Sequence, residues 1–100
     1  ELMHCWQPVF VTNPDTARRA LYVSRLMSAR IEGMDETESR DVLATLCDLI
    51  EAPDNIYEHA WRPGDIIVWD NLSTLHAGND WPAEERRTLR RCTVEGELLY

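Results

Sequence analysis

An unbroken apolar run, Ile66-Ile67-Val68-Trp69, constrains this chain more than any other feature. Such a run leaves no polar face for water, so it predicts a strand buried on both sides. It is entered through Arg62-Pro63-Gly64-Asp65, with Pro and Gly at the central positions of a type II turn. It is left through the polar stretch Asp70-Asn71-Leu72-Ser73-Thr74, which leads to Leu75 and His76. A buried strand needs neighbours, and residues 56–61 and 86–94 also read as strands. Val9-Phe10-Val11-Thr12, the turn Asn13-Pro14-Asp15 and Ala20-Leu21-Tyr22-Val23-Ser24 read as a hairpin with a longer loop.

One segment breaks the strand pattern. Asp35 and Glu38 have capping-box spacing, and Val42, Leu43, Leu46, Leu49 and Ile50 follow at helical intervals. Pro53 lies just past the predicted end. The leucines are expected in a core, with the helix packed on a sheet. A strand-rich chain with one helix suits a mainly β fold with helix, a β-sandwich or jelly roll, better than an alternating α/β fold.

Composition narrows the function classes. A net charge of −8 argues against a broad electrostatic grip on nucleic acid or an anionic membrane. No apolar run approaches the roughly 20 residues that span a bilayer, and no secretory signal is visible after Glu1. Cys5, Cys47 and Cys92 are odd in number and widely spaced, which points to a reducing, cytoplasmic setting rather than to disulfides or structural zinc. Each reads as a small buried hydrophobe. His4-Cys5 has no nearby partner for a metal.

Against the acidic trend, Arg86, Arg87, Arg90 and Arg91 cluster near the end of the chain. Residues four apart on a strand face the same way, so Arg87 and Arg91 share one face about 13 Å apart. A guanidinium on an inward face must be paired. A bound carboxylate gripped bidentately would satisfy it, and so would an internal salt bridge. His76 follows a buried strand among small and polar residues, where a neutral imidazole can donate a lone pair to a metal or simply face solvent. His59 alternates with Tyr57 and Trp61, and packing is its expected role.

Trp61-Arg62-Pro63-Gly64-Asp65, Trp69-Asp70-Asn71, Thr74-Leu75-His76 and Arg86-Arg87-Thr88-Leu89-Arg90-Arg91-Cys92-Thr93 resemble the C-terminal part of the taurine dioxygenase family, which includes the dichlorophenoxyacetate dioxygenases. Asn13-Pro14-Asp15-Thr16 and Leu21-Tyr22-Val23 resemble its His-Pro-x-Thr-Gly turn and following strand, with Asn13 and Ala17 in place of the usual His and Gly. The resemblance implies a double-stranded β-helix (jelly roll) holding Fe(II) in a two-His-one-carboxylate triad, with 2-oxoglutarate as co-substrate. It implies that His76 is the distal iron ligand. Arg87, eleven residues on, would hold the far carboxylate of 2-oxoglutarate, and Arg91, fifteen on, would read the anionic group of the substrate. Trp69, Asp70 and Asn71 would shape the strand end.

The family's remaining two ligands sit in a His-x-Asp or His-x-Glu motif well upstream, and no such motif occurs here. Residues 1–100 are therefore expected to form the C-terminal portion of one catalytic domain, without the His-x-Asp half, and to bind iron poorly alone. The expected activity is hydroxylation of a small anionic organic substrate by O2, with decarboxylation of 2-oxoglutarate to succinate and CO2, in a homo-oligomer. The alternative is a non-catalytic binding or interaction module that keeps the family scaffold.

Overall fold

The computed structural model describes residues 4–96. Its first unit is the expected hairpin. Strands β1 (Phe10–Thr12) and β2 (Arg19–Leu21) pair antiparallel, with Phe10 opposite Leu21, Val11 opposite Ala20 and Thr12 opposite Arg19. The Tyr22 N–H donates to Val9 O at 2.7 Å and carries the pairing one step further. Asn13 builds the connection: its Oδ1 accepts from the N–H groups of Asp15 and Thr16, both at 2.9 Å, as an Asx turn does. The Ala17 N–H then donates to Asn13 O, and the chain turns back with Ala17 in the left-handed region at φ 57°.

Helix α1 spans Glu36–Ile50. The Asp35 side chain accepts from Glu38 N at 2.9 Å, so the predicted cap forms, with Glu36 and Glu38 in the first turn where the helix dipole favours them. At the other end Glu51 N donates to Cys47 O, and Asn55 Nδ2, from a 3-10 turn at Pro53–Asn55, donates to Leu49 O at 2.8 Å. The buried stripe runs Ser39, Leu43, Cys47, a spacing of four along one face. Val42, Leu46 and Ile50 are half-buried. Leu49 is 56% exposed, which corrects its expected place in the core.

Buried hydrophobic side chains are Val11 from β1, Val23 just past β2, and Leu43 and Cys47 from the helix. The segment after β2 lies along α1. Ile31 N donates to the Oγ of the buried Ser39 at 2.7 Å, and Arg25 bridges Asp48 at 2.7 Å and Glu51 at 2.9 Å. Cys47 is a small buried hydrophobe, as expected; Cys5 and Cys92 are exposed, which corrects that reading for them.

The second half of the chain departs from expectation. The type II turn at residues 62–65 is present: Asp65 N donates to Arg62 O at 3.1 Å, and Gly64 takes φ 90°. The strands at 56–61, 66–69 and 86–94 are not formed among the described residues, where one two-stranded sheet is present. Ile66, at 88% exposure, and Val68, at 91%, stand in solvent instead of a core. The reason is physical. A strand is defined by its ladder, and these segments have no partner among the described residues to bond to. The jelly roll as a closed architecture is thus not displayed among the described residues.

Candidate functional site

The loop that delivers His76 is organised by Asp70. Its Oδ1 accepts from Leu72 N at 2.9 Å and its Oδ2 from Ser73 Oγ at 2.7 Å. Its carbonyl accepts from Thr74 Oγ1 at 2.6 Å and Thr74 N at 3.1 Å. Asn13 Nδ2 donates to Asp70 Oδ2 at 3.3 Å, which ties the hairpin turn to this loop across 57 positions of sequence. The bonds from Ser73, from Leu72 N–H and from Asn13 all favour the charged carboxylate and hold its pKa below the usual range. Trp69 Nε1 donates to Asn71 Oδ1 at 2.9 Å. Trp69, Asp70 and Asn71 therefore organise a turn here, where the sequence predicts the end of a strand.

His76 leans on Trp69, with ring centroids 4.9 Å apart and planes at 46°. Its imidazole is exposed and makes no hydrogen bond among the described residues, so neither ring nitrogen is committed to a protein partner. One imidazole does not make a metal centre. Among the described residues no group of three or more His, Cys, Asp or Glu side chains could hold a metal ion, so the residues present do not by themselves fit the implied iron.

Arg87 folds back onto the chain just beyond His76. Its Nη1 donates to Asn79 O at 3.3 Å, and a Cβ placed on Gly78 would lie 3.6 Å from both Nη1 and Nη2. Gly78 is two residues from His76, so their Cα atoms are within about 7 Å of each other. The guanidinium also lies over the Trp81 ring, with Cζ 4.7 Å from the centroid. Asn79 is anchored in turn, its Nδ2 donating to Glu58 Oε1 at 2.9 Å. Arg91 is exposed and forms no ion pair or hydrogen bond with another described residue. The shared strand face predicted for Arg87 and Arg91 has no ladder to define it.

The sequence gives no role to Trp81 or Asn79, and places Asp65 only in a turn. The Trp81 signal is an aromatic side chain six residues before the arginine. Asp65 closes a cluster around His59: His59 Nε2 lies 3.0 Å from Asp65 Oδ2, Tyr57 OH lies 3.3 Å from His59 Nδ1, and the Trp61 ring meets the imidazole edge-on at 5.0 Å. The packing expected of His59 is present, with a polar contact added. The Asp65 carboxyl is held below the usual range, first by the Arg62 N–H and then by His59.

Comparison with known proteins gives the family of the sequence. The family model described as taurine catabolism dioxygenase TauD, TfdA family matches residues 3–93. Pentalenolactone F synthase of Streptomyces avermitilis is 44% identical over 79 residues, 79% of this chain and 26% of that protein. The alpha-ketoglutarate-dependent 2,4-dichlorophenoxyacetate dioxygenase of Burkholderia sp. is 36% identical over 89 residues, 89% of this chain and 30% of that protein. The (S)-phenoxypropionate/alpha-ketoglutarate-dioxygenase of Sphingobium herbicidovorans is 33% identical over 91 residues, 91% of this chain and 31% of that protein. The chain thus spans under a third of the length of these relatives. No solved structure matches.

Proposed function

The chain belongs to the taurine catabolism dioxygenase TauD, TfdA family, and on that premise we propose that the whole protein hydroxylates a small anionic organic substrate with O2 while decarboxylating 2-oxoglutarate to succinate and CO2. Dioxygenases of this family use Fe(2+) and 2-oxoglutarate. The iron, when bound, supplies the oxygen chemistry; the protein supplies ligands, orientation and charge matching. In this reading residues 1–100 are the C-terminal portion of one catalytic domain, a double-stranded β-helix whose other metal ligands come from the rest of the protein.

Three residues carry the chain's share. His76 offers one imidazole to the metal. Arg87 grips the far carboxylate of 2-oxoglutarate, and Arg91 meets the anionic group of the substrate. The observation that supports this most is the return of the Arg87 guanidinium to Gly78 and Asn79, immediately past His76. A dianionic co-substrate can reach a metal at one end and a fixed cation at the other only if the two stand close. Relatives named for phenoxypropionate, 2,4-dichlorophenoxyacetate and sulfate esters support an organic anion as substrate class. The alternative of a non-catalytic module has less support, because these relatives are named for turnover. The thiols of Cys5, Cys47 and Cys92, all free, suit the reducing cytoplasm, where a homo-oligomer would work.

The test is a pair of substitutions in the full-length protein. Arg87→Ala raises the 2-oxoglutarate concentration needed for half-maximal turnover by about tenfold or more, since a hydrogen bond to a charged group is worth about 1.5–3 kcal/mol. Arg91→Ala weakens substrate binding and leaves the 2-oxoglutarate requirement in place. An unchanged co-substrate dependence in the first variant, or an unchanged substrate affinity in the second, removes the corresponding assignment.

A further inference from the structure

We propose that Trp81 is a positioning residue for Arg87: its indole face carries the guanidinium and presents the edge of the fork to the far carboxylate of a 2-oxo dicarboxylate. The inference rests on the reading of Arg87 given above and deepens it.

The contacts of Arg87 divide by direction. Cation–π attraction acts through the flat face of the guanidinium, and hydrogen bonds leave through its edge. Trp81 takes the face, with Cζ 4.7 Å above the ring centroid. Asn79 O takes one edge donor at 3.3 Å. Gly78 brings no side chain against Nη1 and Nη2, where a Cβ would sit 3.6 Å from each. Among the described residues no carboxylate pairs with Arg87, so its ion-pairing capacity there is uncommitted. An arginine restrained on its face and open at its edge is prepared for a planar anion that it can grip bidentately. Pro82, next to Trp81, and the bond from Glu85 N to Pro82 O at 3.0 Å turn the chain so that Arg87 comes back over the indole.

Pre-ordering of this kind raises affinity by removing rotamer freedom before the ligand arrives. It acts on the far carboxylate alone. The experiment therefore compares 2-oxoglutarate with 2-oxopentanoate, which has the same chain length and lacks that carboxylate. Binding of each to the full-length metal-loaded protein is measured by calorimetry, with no turnover required. The ratio of the two affinities isolates the Arg87 contribution. Trp81→Leu, which keeps apolar bulk and loses the aromatic face, lowers that ratio by about two- to fivefold, the factor a cation–π contact at an exposed site corresponds to. Trp81→Phe keeps most of the ratio. Equal ratios for Trp81→Leu, Trp81→Phe and the parent protein overturn the proposal. Equal falls for Leu and Phe overturn it as well, because the aromatic face would then not be what matters. Arg87→Ala separates the two levels. If it brings the ratio to parity while Trp81 variants do nothing, the positioning role alone fails; if it leaves the ratio intact, the reading of Arg87 fails first.

Discussion

Single residues in this chain are held mostly by neighbours a few positions away, and that is why many were legible in the sequence. Asn13, Asp35 and Asp70 each accept backbone N–H groups two or three residues on. The side chain, the spacing and the bond are all visible in a short window. Ala17 is the exception that carries strain. It occupies φ 57°, where an L residue with a Cβ pays a steric cost, and the resembling family has glycine at this place in the turn. Ala17→Gly is expected to raise stability by about 0.5–1 kcal/mol, the strain relief being partly offset by greater unfolded-state freedom. Urea unfolding of the full-length protein checks this, and a loss of stability would show that the positive φ is not strained here. Asp70 gives a pH signature. Its folded-state pKa is depressed, so its contribution is fully present above the unfolded carboxylate value of about 3.9 and disappears as pH falls through the lower folded value. Asp70→Asn is expected to lower the thermal midpoint at neutral pH and to converge on the parent protein in acid. Parallel curves across that range would contradict the role of the carboxylate.

Elements formed where their determinants lie within the element. Helix α1 needs its cap, its spacing and its end signals, all within Asp35 to Asn55, and it appears at the predicted place. Which side it buries was less legible. Of the apolar positions Val42, Leu43, Leu46, Leu49 and Ile50, only Leu43 lies on the fully buried line, which runs through Ser39, Leu43 and Cys47, while Val42, Leu46 and Ile50 are half-buried and Leu49 is exposed. The face is decided by the returning segment, whose Ile31 N–H seeks an acceptor and finds Ser39 Oγ. A serine in a helix interior gives no sequence hint of that partner, eight residues upstream in a loop. Ser39→Ala removes the acceptor from a buried contact, and stability is expected to fall by about 1 kcal/mol even though alanine is the better helix former. Thr37→Ala on the exposed side of the same helix is the control and should cost nothing measurable. If Ser39→Ala is equally silent, water reaches the Ile31 N–H and the contact does not fix the segment.

At the scale of the whole molecule the chain is extended. Its radius of gyration is 16.4 Å, against about 13 Å for a compact domain of this length. Its accessible surface is 9870 Å², where a compact protein of this mass would have about 5,800 Å². The excess is concentrated in the second half, where Ile66, Val68 and Val94 stand exposed and no ladder forms. The apolar pattern of residues 66–69 was readable, because an unbroken apolar run and its length are local. The partner strand was not, because pairing couples residues far apart in sequence and here finds none among those described. The site inherits this division: the turn around Asp70 and the fold-back of Arg87 onto Trp81 are local and formed, while the ladder that would align Arg87 with Arg91 is not. Hydrogen exchange discriminates between a strand waiting for neighbours and a true loop. In the full-length protein the amides of residues 66–69 are expected to exchange at least about a thousandfold more slowly than in residues 1–100 alone, the factor given by roughly 4 kcal/mol of added opening free energy. Residues 86–94 should follow them, since both segments would join the same β-helix. Equal exchange rates in the two proteins would mean that the apolar run is not a buried strand in either, and that His76 is delivered by a loop without a rigid base.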